Sequence, residues 1–205
     1  MSTRLFWLAV GITGLCAALA GFLLAAQLDR TAPQLASGTW LAEPRPVIGF
    51  DLTDSRGQPF TRADLRGHMS LVYFGFTHCP DECPDTLAAL ARMLRGSAIP
   101  RVRVLFVTVD PARDTPQVLR HFLGQFDPAF IGLTGAAPEL ERLAASLGVA
   151  SQRINVPGGE TFEHTAALFL LDARGREVAV FTPPFAIGRL RETLRREAPR
   201  LDRAA

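Results

Sequence analysis

Two unbroken apolar runs mark the middle of the chain, SLVYFGF (70–76) and VRVLFVTV (102–109). Runs without polar alternation are what strands need when both faces are covered. Between them lies TLAALARMLRG, where Leu87, Leu90, Ala91 and Leu94 recur at helical spacing and Gly96 supplies a stop. Residues 70–109 therefore predict a strand–helix–strand unit with parallel strands. Upstream, IGFDLTDSRGQPFT alternates apolar and polar residues around Ser55-Arg56-Gly57, which predicts a hairpin. Downstream, Thr115 and Pro116 suit the cap and first position of a helix with Leu119, Phe122, Leu123 and Phe126 on one face. AFIGL (129–133) predicts a short strand, and Leu140, Leu143 and Leu147 a helix closed by Gly148. AALFLLDARGREVAVF (166–181) predicts a second hairpin, and IGRLRETLRRE (187–197) a closing helix. Residues 199–205 are expected to form a solvated tail.

This order suits a thioredoxin-like α/β sandwich, a mixed central sheet with helices on both faces, over residues 46–198. The N-terminus has a different pattern. Residues 5–26 carry no charge. At ~1.5 Å per residue they span roughly 33 Å, enough for a hydrocarbon core of about 30 Å. A cleaved signal peptide has a shorter apolar core, so the expectation is one uncleaved transmembrane helix. Residues 1–4, with Arg4 and the α-amine, stay in the cytoplasm by the positive-inside rule. The C-terminal domain then lies outside, in the periplasm of a bacterium, with the protein single-pass in the inner membrane. Residues 27–45 lack periodicity and contain Pro, Gly and Ser, the composition of a linker.

Composition adds two exclusions. All 22 basic residues are Arg, the net charge is +2, and no basic patch is interleaved with aromatics, so nucleic-acid binding has no support. Only three cysteines occur, and Cys16 sits in the apolar segment as a small membrane-helix residue. The remaining pair, Cys79 and Cys83, is too few for a disulfide framework.

That pair lies in FGFTHCPDECPDTL, where the first central strand gives way to its helix. Sites in open α/β sheets gather at the carboxyl ends of strands. Pro80 and Pro84 restrict the pair to a loop and the first helical turn. Free backbone N–H groups there favour thiolate, while Asp81, Glu82 and Asp85 oppose it. Two thiolates are soft ligands that select Cu(I) or zinc. On a helical backbone, positions i and i+4 would aim both sulfurs at one ion. A disulfide needs a tighter loop. Among the four histidines, His68, His78 and His121 read as surface or partly packed residues. His164 stands before a buried strand, after the flexible NVPGGE, where this fold brings a loop opposite the cysteines. It is the preferred third ligand. A thiol–disulfide oxidoreductase is the alternative, against which stands His164-Thr165 where such enzymes usually carry a proline. A thiol peroxidase is disfavoured, because Phe76 takes the place of its usual threonine.

DLRGHMSLVYFGFTHCPDECPDTL, VTVDPARDTP and HTAALFLLDARGR, in this order and spacing, resemble the Sco/SenC family. These are thioredoxin-like copper proteins that assist assembly of the binuclear copper centre of cytochrome c oxidase. The resemblance covers roughly residues 46–198. It implies one copper per chain, held as Cu(I) by Cys79, Cys83 and His164, and as Cu(II) by the same residues with a further oxygen or nitrogen ligand. It implies a redox-active Cys79–Cys83 pair able to form a disulfide, and a role for Asp81 in tuning the site or facing a partner. The implied partners are the copper-bearing oxidase subunit and a copper-donor chaperone or thiol reductase. The implied role is that of a metallochaperone rather than a turnover enzyme. Glu82 and Glu163 depart from the family, which usually has an apolar residue and an aspartate at those positions. Asp110, Arg113 and Asp114 belong to a recurrent motif and read as a strand end, a turn and a helix cap.

Overall fold

The structure, a computed structural model, describes residues 38–96, 99, 102–156 and 159–202, with the isolated positions Trp7, Gly14, Leu19 and Gly21. The proposed membrane segment 5–26 lies outside the described residues apart from those four positions, which are helical. Cys16 also lies outside them. Among the described residues, no helix is long and apolar enough to cross a membrane.

The domain is built on a mixed eight-stranded sheet. Its strands in chain order are β1 (Gly38–Pro46), β2 (Asp51–Asp54), β3 (Pro59–Thr61), β4 (Met69–Gly75), β5 (Val102–Thr108), β6 (Ile131–Thr134), β9 (Leu168–Leu171) and β10 (Arg176–Phe181). They are arranged β1-β10-β9-β4-β5-β6-β2-β3. β4, β5 and β6 are parallel, and the other pairings are antiparallel. A separate hairpin is formed by β7 (Ser151–Val156) and β8 (Gly159–His164). The helices are α1 (Glu82–Leu94), α2 (Pro116–Gly124), α3 (Ala137–Ser146) and α4 (Ile187–Asp202).

The unbroken apolar runs have the expected cause. Leu71 and Tyr73 of β4, Val104 and Phe106 of β5, and Leu168 and Leu170 of β9 pack into one cluster with α1, α2 and α4. Their neighbours Val72, Phe74, Leu105, Val107, Phe169 and Leu171 point the other way, into a second cluster with α3. Both faces of the sheet are thus covered, and every second side chain has a dry destination. The predicted thioredoxin-like α/β sandwich is the observed fold, with its ligatable thiols at the carboxyl end of β4.

Three expectations are corrected. The linker assigned to 27–45 ends sooner, because Gly38–Pro46 forms β1 and pairs with β10 from Gly38 opposite Phe181 to Pro46 opposite Arg176. As an edge strand it tolerates Pro44 and Pro46. It is held by main-chain pairing, by Trp40 against the core, and by an Arg45–Glu177 ion pair of 2.8 Å. Little of this leaves an apolar pattern in the sequence. The solvated tail of 199–205 is also too long. α4 runs through Pro199 to Asp202, because Leu190, Leu194, Ala198 and Leu201 form one buried stripe. Residues 203–205 lie outside the described residues. Finally, the stretch read as flexible before His164 belongs in part to a hairpin, whose register runs from Ser151 opposite His164 to Val156 opposite Gly159.

Candidate metal centre

β4 delivers the cysteine loop. After Gly75 the chain turns, and the Cys79 N–H donates to the Phe76 carbonyl at 3.2 Å. α1 begins at Glu82, with Asp81 as its cap residue and Pro84 in its first turn, where a missing N–H costs nothing. Cys79 therefore precedes the helix and Cys83 sits inside it. The pair does not share one helical face; the turn at 79–81 brings the side chains within hydrogen-bonding reach. Both are free thiols. Cys83 is fully buried and Cys79 half-buried.

The loop is clamped from behind. Asp114, which has no exposed surface, accepts the Thr77 N–H at 3.1 Å, the Thr77 hydroxyl at 2.6 Å and the Thr108 hydroxyl at 2.6 Å. The end of β5 and the segment just before Cys79 thus share one buried carboxylate. Asp110 instead pairs with Arg113. Gly75 is a second fixed requirement. A Cβ there would stand 2.9 Å from the Cys83 sulfur and 2.8 Å from the Phe106 ring, so only glycine lets the helix start this close to β4.

His164 comes from the other side, at the end of β8. Its loop is tied by the Thr165 N–H to the Ala150 carbonyl (2.9 Å) and by the Ala150 N–H to the Thr165 hydroxyl (3.1 Å). The ring packs edge-on against Tyr73 and Phe76, with centroids at 6.4 and 6.2 Å. Nδ1 lies 3.3 Å from the Thr165 carbonyl. A carbonyl only accepts, so this contact assigns the proton to Nδ1 and leaves the Nε2 lone pair free. Nε2 is 3.9 Å from the Cys83 sulfur. At sulfur and imidazole bond lengths of about 2.3 and 2.0 Å, two ligands on one ion stand roughly 3.5–3.8 Å apart. Two sulfurs and an unprotonated imidazole nitrogen suit a soft cation. Among the described residues, no three His, Cys, Asp or Glu side chains are already drawn as close as a bound metal requires. The Cys83–His164 pair lies close to that separation.

Electrostatics divide the two thiols. Cys79 is pulled down to about 6, first by the hydrogen bond from the Cys83 thiol, then by the N–H groups of Cys83 and Asp81 and by His164, with burial acting the other way. Cys83 is pushed up, first by the proton it donates to Cys79, then by burial and by the Cys79 anion. The thiolate is therefore favoured at Cys79, by the Cys83 thiol first and the backbone N–H groups next, while Cys83 keeps its proton.

Cys79, Asp81, Glu163 and His164 border an open cleft of about 350 Å³ with Phe76 and Phe162 as apolar walls. Asp81 makes no side-chain cap bond, and Glu163 accepts from Gln152 at 3.0 Å. The other histidines stay apart. His68, His78 and His121 are exposed, and the His78 ring contacts the Thr77 hydroxyl. Sequence reasoning missed Gly75, Tyr73 and the Asp114 clamp. A glycine inside an apolar strand is a sign of close approach that was there to be used.

Residues 42–198 match the family described as SCO1/SenC. A SCO2-like protein of Rickettsia prowazekii is 36% identical over 137 residues, 64% of this chain and 67% of that protein. ScoI of Arabidopsis thaliana, with copper bound, superposes with a TM-score of 0.70 at 29% identity, covering 75% of this chain and 98% of that one. ScoI of Bradyrhizobium japonicum, also with copper bound, gives 0.64 at 35% identity, covering 76% and 99%.

Proposed function

Since the chain belongs to the SCO1/SenC family, we propose that it is a membrane-anchored copper-binding protein that serves assembly of the binuclear copper centre of cytochrome c oxidase. Copper is its cargo, one ion per chain, held by Cys79, Cys83 and His164. The observation that carries this reading is the approach of His164 Nε2 to 3.9 Å from the Cys83 sulfur, across 81 residues of sequence. The copper-bound ScoI relatives support the choice of ion. Asp81, at the mouth of the cleft, tunes the site or faces the partner. In this proposal residues 5–26 anchor the protein in a bacterial inner membrane, a tether follows, and the domain works in the periplasm on the copper-bearing oxidase subunit.

The divided thiols support a second act at the same site, reduction of that subunit's cysteines. Cys79 is the half-buried, anionic partner that reaches the cleft and attacks one sulfur of a disulfide, releasing the other as thiolate. The Cys83 sulfur then displaces the mixed disulfide and its proton passes to the leaving group. The partner gains two electrons and a Cys79–Cys83 disulfide forms. Handing on copper leaves both thiols reduced, and handing on electrons leaves them oxidised.

The deciding experiment loads the reduced protein with Cu(I) and Cu(II) and compares His164→Ala. The expected result is about one copper per chain, a sulfur-to-copper charge-transfer band for Cu(II), and a loss of affinity beyond the roughly 10–100-fold typical of an outer hydrogen-bond partner. Equal binding by wild type and variant removes His164 from the site. No copper binding, with brisk reduction of a test disulfide, leaves only the oxidoreductase.

A further inference from the structure

Tyr73 is the single tyrosine of the chain. It lies on β4 with no exposed surface, in the same apolar cluster as Cys83, Leu87 and Phe106. A buried phenol ordinarily finds a hydrogen-bond partner, because an unpaired hydroxyl forfeits its hydration. The Tyr73 hydroxyl has no partner of ordinary geometry. The polar side chains beside it are those of Cys83 and Thr86, one turn apart on α1. Its ring meets the His164 ring edge-on at 6.4 Å. Tyr73 therefore meets the His164 ring edge-on and shares the buried cluster of Cys83, with a hydroxyl that no well-aligned hydrogen bond engages.

A neutral thiol sulfur is a weak acceptor, and a thiolate is a far better one. In the metal-free dithiol, the Cys83 sulfur is neutral and offers Tyr73 little. A sulfur that binds a cation does so as thiolate. Its charge then develops in a pocket closed to water, where the phenol is the donor already in place. We propose that Tyr73 is a positioning residue of the metal centre, whose hydroxyl donates to the Cys83 sulfur once that sulfur is bound to a cation, favouring the loaded state over the empty one. Phenylalanine would fill the same space in the core. The oxygen adds nothing to packing and, while unpaired, weakens the metal-free protein. This inference rests on the assignment of Cys79, Cys83 and His164 as the copper site.

A single tyrosine makes the test direct. The tyrosine Fermi doublet in the ultraviolet resonance Raman spectrum of the full chain reports this one hydroxyl. The expected result is a weakly bonded phenol in the reduced, metal-free protein and a strong donor after one equivalent of Cu(I). In Tyr73→Phe, Cu(I) affinity, measured by competition with a chromophoric chelator, falls by about tenfold. The Cu(II) charge-transfer band shifts, and the melting temperature of the metal-free variant is unchanged or higher. A packing role predicts the reverse split, lower melting with unchanged affinity. An unmoved doublet in the wild type, or wild-type affinity in Tyr73→Phe, overturns the role of Tyr73 while leaving the copper site standing. A wild-type chain that binds no Cu(I) overturns both.

Discussion

Two buried carboxylates stand at opposite ends of the sheet, and each organises a turn. Asp172, between β9 and β10, accepts the N–H groups of Arg174 and Arg176 at 3.0 and 2.9 Å and the Arg176 guanidinium at 2.9 and 2.6 Å. Every partner lies within four residues, and the charge is closed by a countercharge. Asp114, at the cysteine end, takes only neutral donors, two from Thr77 across 37 residues and one from Thr108. The first carboxylate makes a turn that is complete in itself. The second ties together two loops that the chain supplies separately, and the loop it holds ends in Cys79. A self-contained turn protects the fold, whereas a shared one positions chemistry.

The sharpest way to break this division is to remove each carboxylate. Asp114→Ala strips three donors, one buried and two partly buried, of their acceptor and should cost about 3 kcal/mol of stability. It should also weaken Cu(I) binding by about tenfold or more, because the Cys79 loop loses its support from behind. Asp172→Ala removes four contacts rather than three, but its Arg176 partner reaches water, so about 2 kcal/mol is expected. Copper affinity should stay at the wild-type value. Urea unfolding and chelator competition on the same preparations give both quantities. Equal copper losses in the two variants would show that Asp114 is one more structural carboxylate.

The same contrast explains what could be read from the sequence. DARG announces its turn because all of its bonds are local. The apolar runs at 70–76 and 102–109 announce buried strands because burial on both faces is written residue by residue. The cysteine loop was legible from Pro80 and Pro84, which confine it. The Asp114 clamp was not, since a buried aspartate two residues before Pro116 looks like any helix approach until Thr77 is seen beside it. β1 was hidden for another reason: an edge strand held by main-chain bonds and one ion pair needs no alternation. The end of α4 was misplaced because Pro199 argues for a stop, and Leu201 outweighs it only once the groove it fills is known. Tyr73 was counted as an apolar strand residue, and nothing local distinguishes its hydroxyl.

The smallest effect concerns charge rather than structure. At the Asp172 end, the buried carboxylate is paired with the Arg176 guanidinium. At the other end, the fold keeps one half-buried anionic sulfur, held by a thiol, two N–H groups and His164. Cys79 has a folded value of about 6 against an ordinary 9.0, so between those values the unfolded chain holds a proton the folded one has released. Stability should therefore rise gently with pH across that window and be lost as pH falls through about 6. Cys83, shifted upward by the same hydrogen bond, keeps its proton there and acts against stability only above the ordinary thiol range. The two thiols titrate as a pair. In the reduced, metal-free protein, iodoacetamide should modify Cys79 with a rate that climbs through a midpoint near 6, while Cys83 stays protected. Peptide mapping after short exposures across the pH range reads both sites. A common midpoint near 9 for the two cysteines would mean that the turn at 79–81 does not share a proton between them. The contrast between a closed carboxylate and an open thiolate would then disappear.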